Sequence, residues 1–141
     1  MNQTHPTLQA WLEAFLAARG GVAGSVHCLR ADQLELAAHV RLPPPVLEKT
    51  RFIPRGKGMA GLAWERNQVV STCNLKTDTS GDVRPGAKAV NAGAALAIPV
   101  RDAAGGLRAV VGIAFAGERE MSAEEQAKLE SDAQALPAAA P

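Results

Sequence analysis

The chain is 141 residues long, 47% hydrophobic and 4% aromatic, and carries a formal net charge of +1. This size suits a single domain spanning 1–141, able to bury roughly two thirds of its unfolded surface. The near-neutral charge excludes a global field for drawing in nucleic acid or an acidic membrane surface, and three Phe and two Trp, with no Tyr, make a poor stacking platform for single strands.

No stretch approaches the roughly 18 uninterrupted apolar residues of a membrane span, and the N-terminal residues lack a basic-then-apolar signal pattern, so a cytoplasmic protein is expected. Cys28 and Cys73 are isolated thiols without C-x-x-C spacing. That argues against a disulfide scaffold, a zinc ribbon or a thioredoxin motif.

The first element is an amphipathic helix over Thr7 to Arg19, with Leu8, Trp11, Leu12, Phe15 and Leu16 at helical spacing. Thr4 or Thr7 is the expected cap, and Gly20-Gly21 the stop. "GSVHCLR" and "QLELAAHVRL" then read as an antiparallel hairpin turning at Ala31 to Gln33, the second strand setting Leu34, Leu36, Ala38 and Val40 on one face. Pro43 to Pro45 cannot donate to a ladder and end that strand, leaving room for one helical turn before Phe52 and Ile53. Gly58 to Arg66 is a second helix, and "QVVSTCN" a third strand of β-branched residues.

Leu75 to Gly93 is a long polar stretch with no sustained period, and a loop of that length in a small domain is expected to be functional or mobile. A second hairpin follows, turning at Gly105-Gly106, with Leu107, Ala109, Val111, Ile113 and Phe115 expected on one face. Ser122-x-x-Glu125 opens the last helix as a capping box, and Pro137 stops it by Leu136. Its apolar face is thin, chiefly alanine with Leu129 and Leu136, so it must pack closely on something or pair with a partner helix. The core runs from about residue 7 to 136, and 137–141 form a frayed tail. The whole is an α+β domain with an antiparallel sheet.

"RGKGMAGLAWERNQVV" contains the glycines of a G-x-G-x-x-G fingerprint at Gly56, Gly58 and Gly61, with Asp78 about twenty positions beyond. A dinucleotide turn follows a buried apolar parallel strand, and "TRFIPR" is a broken, charged stretch. A Walker A loop fails too, because Lys57 precedes Gly58 rather than Ser or Thr. The glycines therefore read as a tight turn into a helix, not as a phosphate cradle. Lys49, Arg51, Arg55 and Lys57 beside them form a local basic cluster able to meet an anion as point charges.

The stretch "FIPRGKGMAGLAWERNQVVSTCNLKTD" resembles the signature of the GAF domain family, and "GAALAIPVRDAAGGLRAVVGIAFAG", with Pro99, is similar to that family's pair of central strands. The resemblance covers Leu8 to Leu136. It implies a stand-alone GAF domain: a GAF-like six-stranded antiparallel sheet, N- and C-terminal helices on one face, and a loop-roofed ligand pocket on the other. It also implies a sensory or regulatory module without catalytic activity or cofactor, paired as a homodimer through its terminal helices or acting on a separate effector protein.

The expected pocket floor is Ala95, Ala97, Val111 and Ile113, or their neighbours shifted by one residue, because strand faces alternate. The expected roof runs from Thr72 to Asn91 and offers Asn74, Asp78, Asp82 and Arg84 to a small polar ligand. Two alternatives stand beside this reading. Some GAF proteins are free methionine-(R)-sulfoxide reductases that use a set of cysteines near the roof; here Cys73 is the candidate nucleophile, with Cys28 as the only resolving thiol the sequence offers. The other alternative is an interaction module whose pocket has degenerated. His27 and Cys28 are consecutive on a strand and point to opposite faces, so no metal site is expected there.

Overall fold

The computed structural model describes residues 5–72, 93–117 and 119–138. In chain order the elements are α1 (Pro6–Arg19), β1 (Ala23–Arg30), β2 (Gln33–Val40), α2 (Pro44–Thr50), β3 (Phe52–Pro54), α3 (Gly58–Arg66), β4 (Val70–Thr72), β5 (Ala95–Arg101), β6 (Leu107–Ala114) and α4 (Ala123–Ala133). The strands form one sheet in the order β3-β2-β1-β6-β5-β4, every neighbouring pair antiparallel. This is the α+β architecture expected from the sequence, with six antiparallel strands.

Local chemistry sets the helix ends. The cap of α1 is His5, not Thr4 or Thr7: its ring Nδ1 accepts from the Leu8 N–H at 3.4 Å, and Pro6 stands at the start of the helix, where a missing N–H loses nothing. Gly20, in the left-handed region at φ 72°, ends the helix as expected. α2 is longer than the single turn expected, because Pro44 can begin a helix as readily as Pro43 can end a strand. The α4 capping box forms as read: Ser122 Oγ accepts from Glu125 N–H at 3.1 Å, and the Glu125 carboxylate accepts from Ser122 N–H at 3.4 Å.

α1 and α4 cover one face of the sheet. Leu8, Leu12, Phe15 and Leu16 of α1 and Leu129, Ala133 and the following Leu136 pack with Val26, Leu96, Ile98, Val100, Val111 and Ile113 in the largest core cluster. The thin apolar face of α4 is thus spent on the sheet. Arg19 ties the two helices through Asp132 at 2.9 Å, and Arg101 of β5 reaches Glu130 at 2.8 Å.

Two bulges redistribute residues between the faces. On β2, Val26 pairs with Ala38 but His27 pairs with Leu36, so Ala37 is the extra residue. Leu34 therefore packs with Ile53 and Val110 on the second face, whereas Ala38 and Val40 join the α1 side. The single face expected for these residues is corrected accordingly. On β6, Val100 pairs with Ala109 but Arg101 with Leu107, which leaves Arg108 over. Leu107 consequently parts from Ala109, Val111, Ile113 and Phe115 and packs on the second face.

The edge strands β3 and β4 pair with only three residues each of β2 and β5, so outer backbone groups further along β2 and β5 have no strand partner among the described residues, and the residues of the terminal helices and their caps satisfy them. The Ala37 carbonyl accepts from His5 N–H at 2.7 Å, and Gln9 both donates to the His39 carbonyl at 2.9 Å and accepts from His39 N–H at 3.0 Å. Gln134 does the same on β5 beyond the end of β4, donating to the Pro99 carbonyl and accepting from Arg101 N–H, each at 3.0 Å. Among the described residues no helix is long and apolar enough to cross a membrane.

Candidate functional site

The second face of the sheet is built differently. In the register, Ala23 lies opposite Ala114, Ser25 opposite Gly112, and Ala97 opposite Gly112 on the other side. Directly opposed residues share a face, so small side chains fall together in the middle of this one. Gly112 is bare for a reason: a Cβ there would stand 2.8 Å from Ser25 Oγ. α2 and α3 stand over this floor, held by Val46 against Ala95 and Ala114 and by Ala63 against Ala97 and Val110. Between floor and helices lies a cavity of about 520 Å³, walled by Leu42, Val46, Ile53 and Met59. The volume is within the range of small-molecule sites.

His27 lines this cavity from β1 and is 3% exposed. Its Nε2 lies 2.7 Å from the Thr50 carbonyl at the end of α2, where a helix has carbonyls left over. Burial pulls its pKa down to about 4, against a smaller upward pull from that backbone hydrogen bond. The ring is neutral at pH 7, and since a carbonyl only accepts, Nε2 carries the proton. Nδ1 is then an acceptor, buried and without a partner.

The glycine motif forms the wall beside it. Gly56 and Gly58 have φ 82° and 68°, and a Cβ at Gly61 would meet the Pro54 carbonyl oxygen at 2.6 Å. The motif is a turn closed on itself, with Gly56 N–H donating to the Gly61 carbonyl at 2.9 Å and Lys57 N–H to that of Pro54 at 3.3 Å. It brings the first turn of α3 to the cavity, where Lys57, Gly58, Met59 and Ala60 line it. No side chain caps that helix end. The basic cluster divides: Arg51 stacks on Phe52 and Arg55 on Trp64, with centroids at 5.7 and 6.0 Å, while Lys49 and Lys57 line the cavity.

Of the expected floor, Ala95 and Ala97 line the cavity. Val111 does not; it packs on the helix side, because an odd-numbered residue of β5 shares its face with an even-numbered one of β6. Ile113 borders the cavity, but its side chain belongs to the helix-side core, and the true floor residues of β6 are its neighbours Gly112 and Ala114. Thr72 lines a second hollow of about 590 Å³ with Ser71, Arg119, Ser122 and Glu125 instead. Asn74, Asp78, Asp82, Arg84 and Cys73 lie outside the described residues.

Cys28 faces away from the cavity, in the helix-side core, and burial raises its thiol pKa. Among the described residues no group of three or more His, Cys, Asp or Glu is placed to hold a metal. His27 was legible as a lone imidazole between Val26 and Cys28 on an apolar strand, but its partner on α2 was not.

No protein-family model and no curated protein matches the chain. Solved structures do. The GAF domain of a phosphoenolpyruvate-protein phosphotransferase from Coxiella burnetii is 19% identical, with a TM-score of 0.74 over 96% of this chain and 81% of that one. The chain has the GAF fold. Two free methionine-R-sulfoxide reductases share it. The type II enzyme from Thermoplasma acidophilum is 21% identical, with a TM-score of 0.71 over 92% of this chain and 86% of its own. The Neisseria meningitidis enzyme, solved with its substrate, is 18% identical, with a TM-score of 0.72 over 92% and 72%. Among these likenesses the GAF fold occurs both as a domain of a phosphotransferase and as free methionine-R-sulfoxide reductases, and fold does not carry activity with it.

Proposed function

We propose that this GAF-fold domain is a non-catalytic small-molecule-binding regulatory module whose ligand sits between the alanine-glycine floor and helices α2 and α3. The observation that supports it is the cavity of about 520 Å³ with a buried, half-unpaired His27 in its wall. A degenerate interaction module would fill such a space with side chains. Output passes to a second copy or to another chain. Because Leu129, Ala133 and Leu136 face the sheet, pairing through α4 would rest on its polar side.

The reductase reading is favoured by the two enzymes of the same fold. Against it, Cys28 lies across the sheet from the cavity, and a buried thiol with a raised pKa supplies little thiolate to resolve a sulfenic acid.

Native mass spectrometry of the protein equilibrated with a small-metabolite extract tests the first reading. A stoichiometric adduct on the wild type supports it, and a clean spectrum contradicts it. Reductant-dependent turnover of free methionine-R-sulfoxide that disappears in Cys73→Ser would replace it with the enzyme reading.

A further inference from the structure

We infer that α3 and α4, which pack on opposite faces of the sheet, form one conformational unit: Arg101 clasps the end of α3 to the last turn of α4 around the open edge of β5. Loosening of α3 at the cavity is therefore felt at α4. The clasp stands apart from the reading of the cavity as a ligand site and needs no ligand.

It is built on a gap in the sheet. β4 pairs with β5 only from Ala95 to Ala97, so the remainder of the β5 edge, through Arg101, has no β4 residue beside it. Two residues reach that edge from opposite sides. Gln134, just past α4, takes the Pro99 carbonyl and the Arg101 N–H, each at 3.0 Å, and also donates to the Glu130 carbonyl at 2.9 Å. Asn67, left-handed at φ 53°, ends α3 on the cavity face.

Arg101 joins them. Its Nε donates to Asn67 Oδ1 at 2.9 Å and its Nη2 to the Asn67 backbone carbonyl at 2.7 Å. The same Nη2 lies 2.8 Å from a Glu130 carboxylate oxygen. An exposed Arg–Glu pair alone contributes little, because water competes for both charges and two long side chains lose freedom. Here one planar fork meets acceptors from both helices, and the Arg101 backbone N–H is held by α4 as well, so the contacts act as a network. Asn67 Nδ2 also donates to the Gly105 carbonyl at 3.4 Å, which ties in the β5–β6 turn.

The helix that moves first is α3. It has nine residues, buries only Gly61 and Ala63, and starts without a side-chain cap, so little holds it in place. Its first turn lines the cavity with Gly58, Met59 and Ala60. At its other end Asn67 N–H donates to the Trp64 carbonyl at 3.3 Å, which makes the place of Asn67 depend on an intact helix. When α3 frays or tilts, Arg101 loses both oxygens of Asn67 and swings free with Glu130. Within α4 only Leu129 and Ala133 are buried, so its last turn loosens when that anchor goes.

Hydrogen-exchange mass spectrometry on the ligand-free protein tests the clasp. Ala60→Gly changes no member of it and favours opening of α3 by about fivefold, from the helix preference of alanine over glycine. The substitution is made in the wild type, in Arg101→Gln and in Asn67→Gly, which keeps the left-handed turn and the Arg101–Glu130 pair but removes Oδ1. Exchange in α3 should quicken in every background. In the wild type, exchange in the second half of α4 should also quicken, by about twofold or more, while β1 stays unchanged. The α4 response should vanish in Arg101→Gln and weaken in Asn67→Gly. An α3 indifferent to Ala60→Gly, an α4 that does not respond in the wild type, a response shared by β1, or one that survives Arg101→Gln overturns the clasp. Each of those results leaves the small-molecule reading of the cavity standing, because no ligand takes part.

Discussion

The same strands meet two different environments, and the contrast between the faces of the sheet explains where a ligand has room. Along β5, Leu96, Ile98 and Val100 alternate with Ala95 and Ala97; along β6, Val111 and Ile113 alternate with Gly112 and Ala114. The large residues meet α1 and α4 and fill the space. The small ones lie beneath α2 and α3 and leave about 520 Å³ open. One face of the fold is held by packing, and the other is held apart by short side chains.

The largest effect expected from breaking the packed face is at Ile98, which is fully buried among the helix-side residues. Ile98→Ala should lose about 2–5 kcal/mol in urea unfolding, through lost burial and the void left behind. On the open face the corresponding effect comes from pH. The folded protein keeps His27 neutral down to about pH 4, whereas the unfolded chain protonates it near 6.5. The unfolded state therefore binds the extra proton, and stability falls as pH drops from about 6.5 to about 4. The loss amounts to about 3 kcal/mol below that window, and is read as the difference between wild type and His27→Gln in unfolding at several pH values.

Adjacent residues of β1 sharpen the comparison further. A methyl at Gly24 would stand 2.7 Å from the Gly112 carbonyl oxygen and 2.9 Å from Leu16, so Gly24→Ala should lose about 1–3 kcal/mol. A smaller loss is expected where only the edge of the packed layer is touched: Ser122→Ala removes the α4 cap and should lower stability by about 1 kcal/mol.

Much of this was legible in the sequence. Helical spacing in Leu8 to Leu16, the Ser122 and Glu125 box, the two hairpins and the glycine turn all follow from local chemistry, and together they resemble one fold. The parity of the floor was not legible. Ala95 and Ala97 line the cavity, but on β6 the floor falls to Gly112 and Ala114, the neighbours shifted by one residue, with Ile113 only bordering it and Val111 on the helix side, because the register between β5 and β6 depends on their turn and on the bulge at Arg108. The bulge at Ala37 hid in the same way inside an apparently regular alternation. His27 escaped as a site residue because its meaning depends on a carbonyl 23 positions away on α2, which periodicity does not report. The basic run from Lys49 to Lys57 looked like one patch, yet two of its members stack on aromatic rings and two face the cavity.

The most direct measurement uses a single variant on the open face. Ser25 is half-buried, lines the cavity and lies opposite Gly112, which offers no side chain in the way. Ser25→Leu adds bulk where the packed face would tolerate none. Its unfolding free energy should stay within about 1 kcal/mol of wild type, while the small-molecule adduct expected on the wild type by native mass spectrometry should be absent from the variant. A loss of several kcal/mol, or an adduct that persists, would mean that this face is filled core and that the cavity between α2, α3 and the sheet is not where the domain takes its ligand.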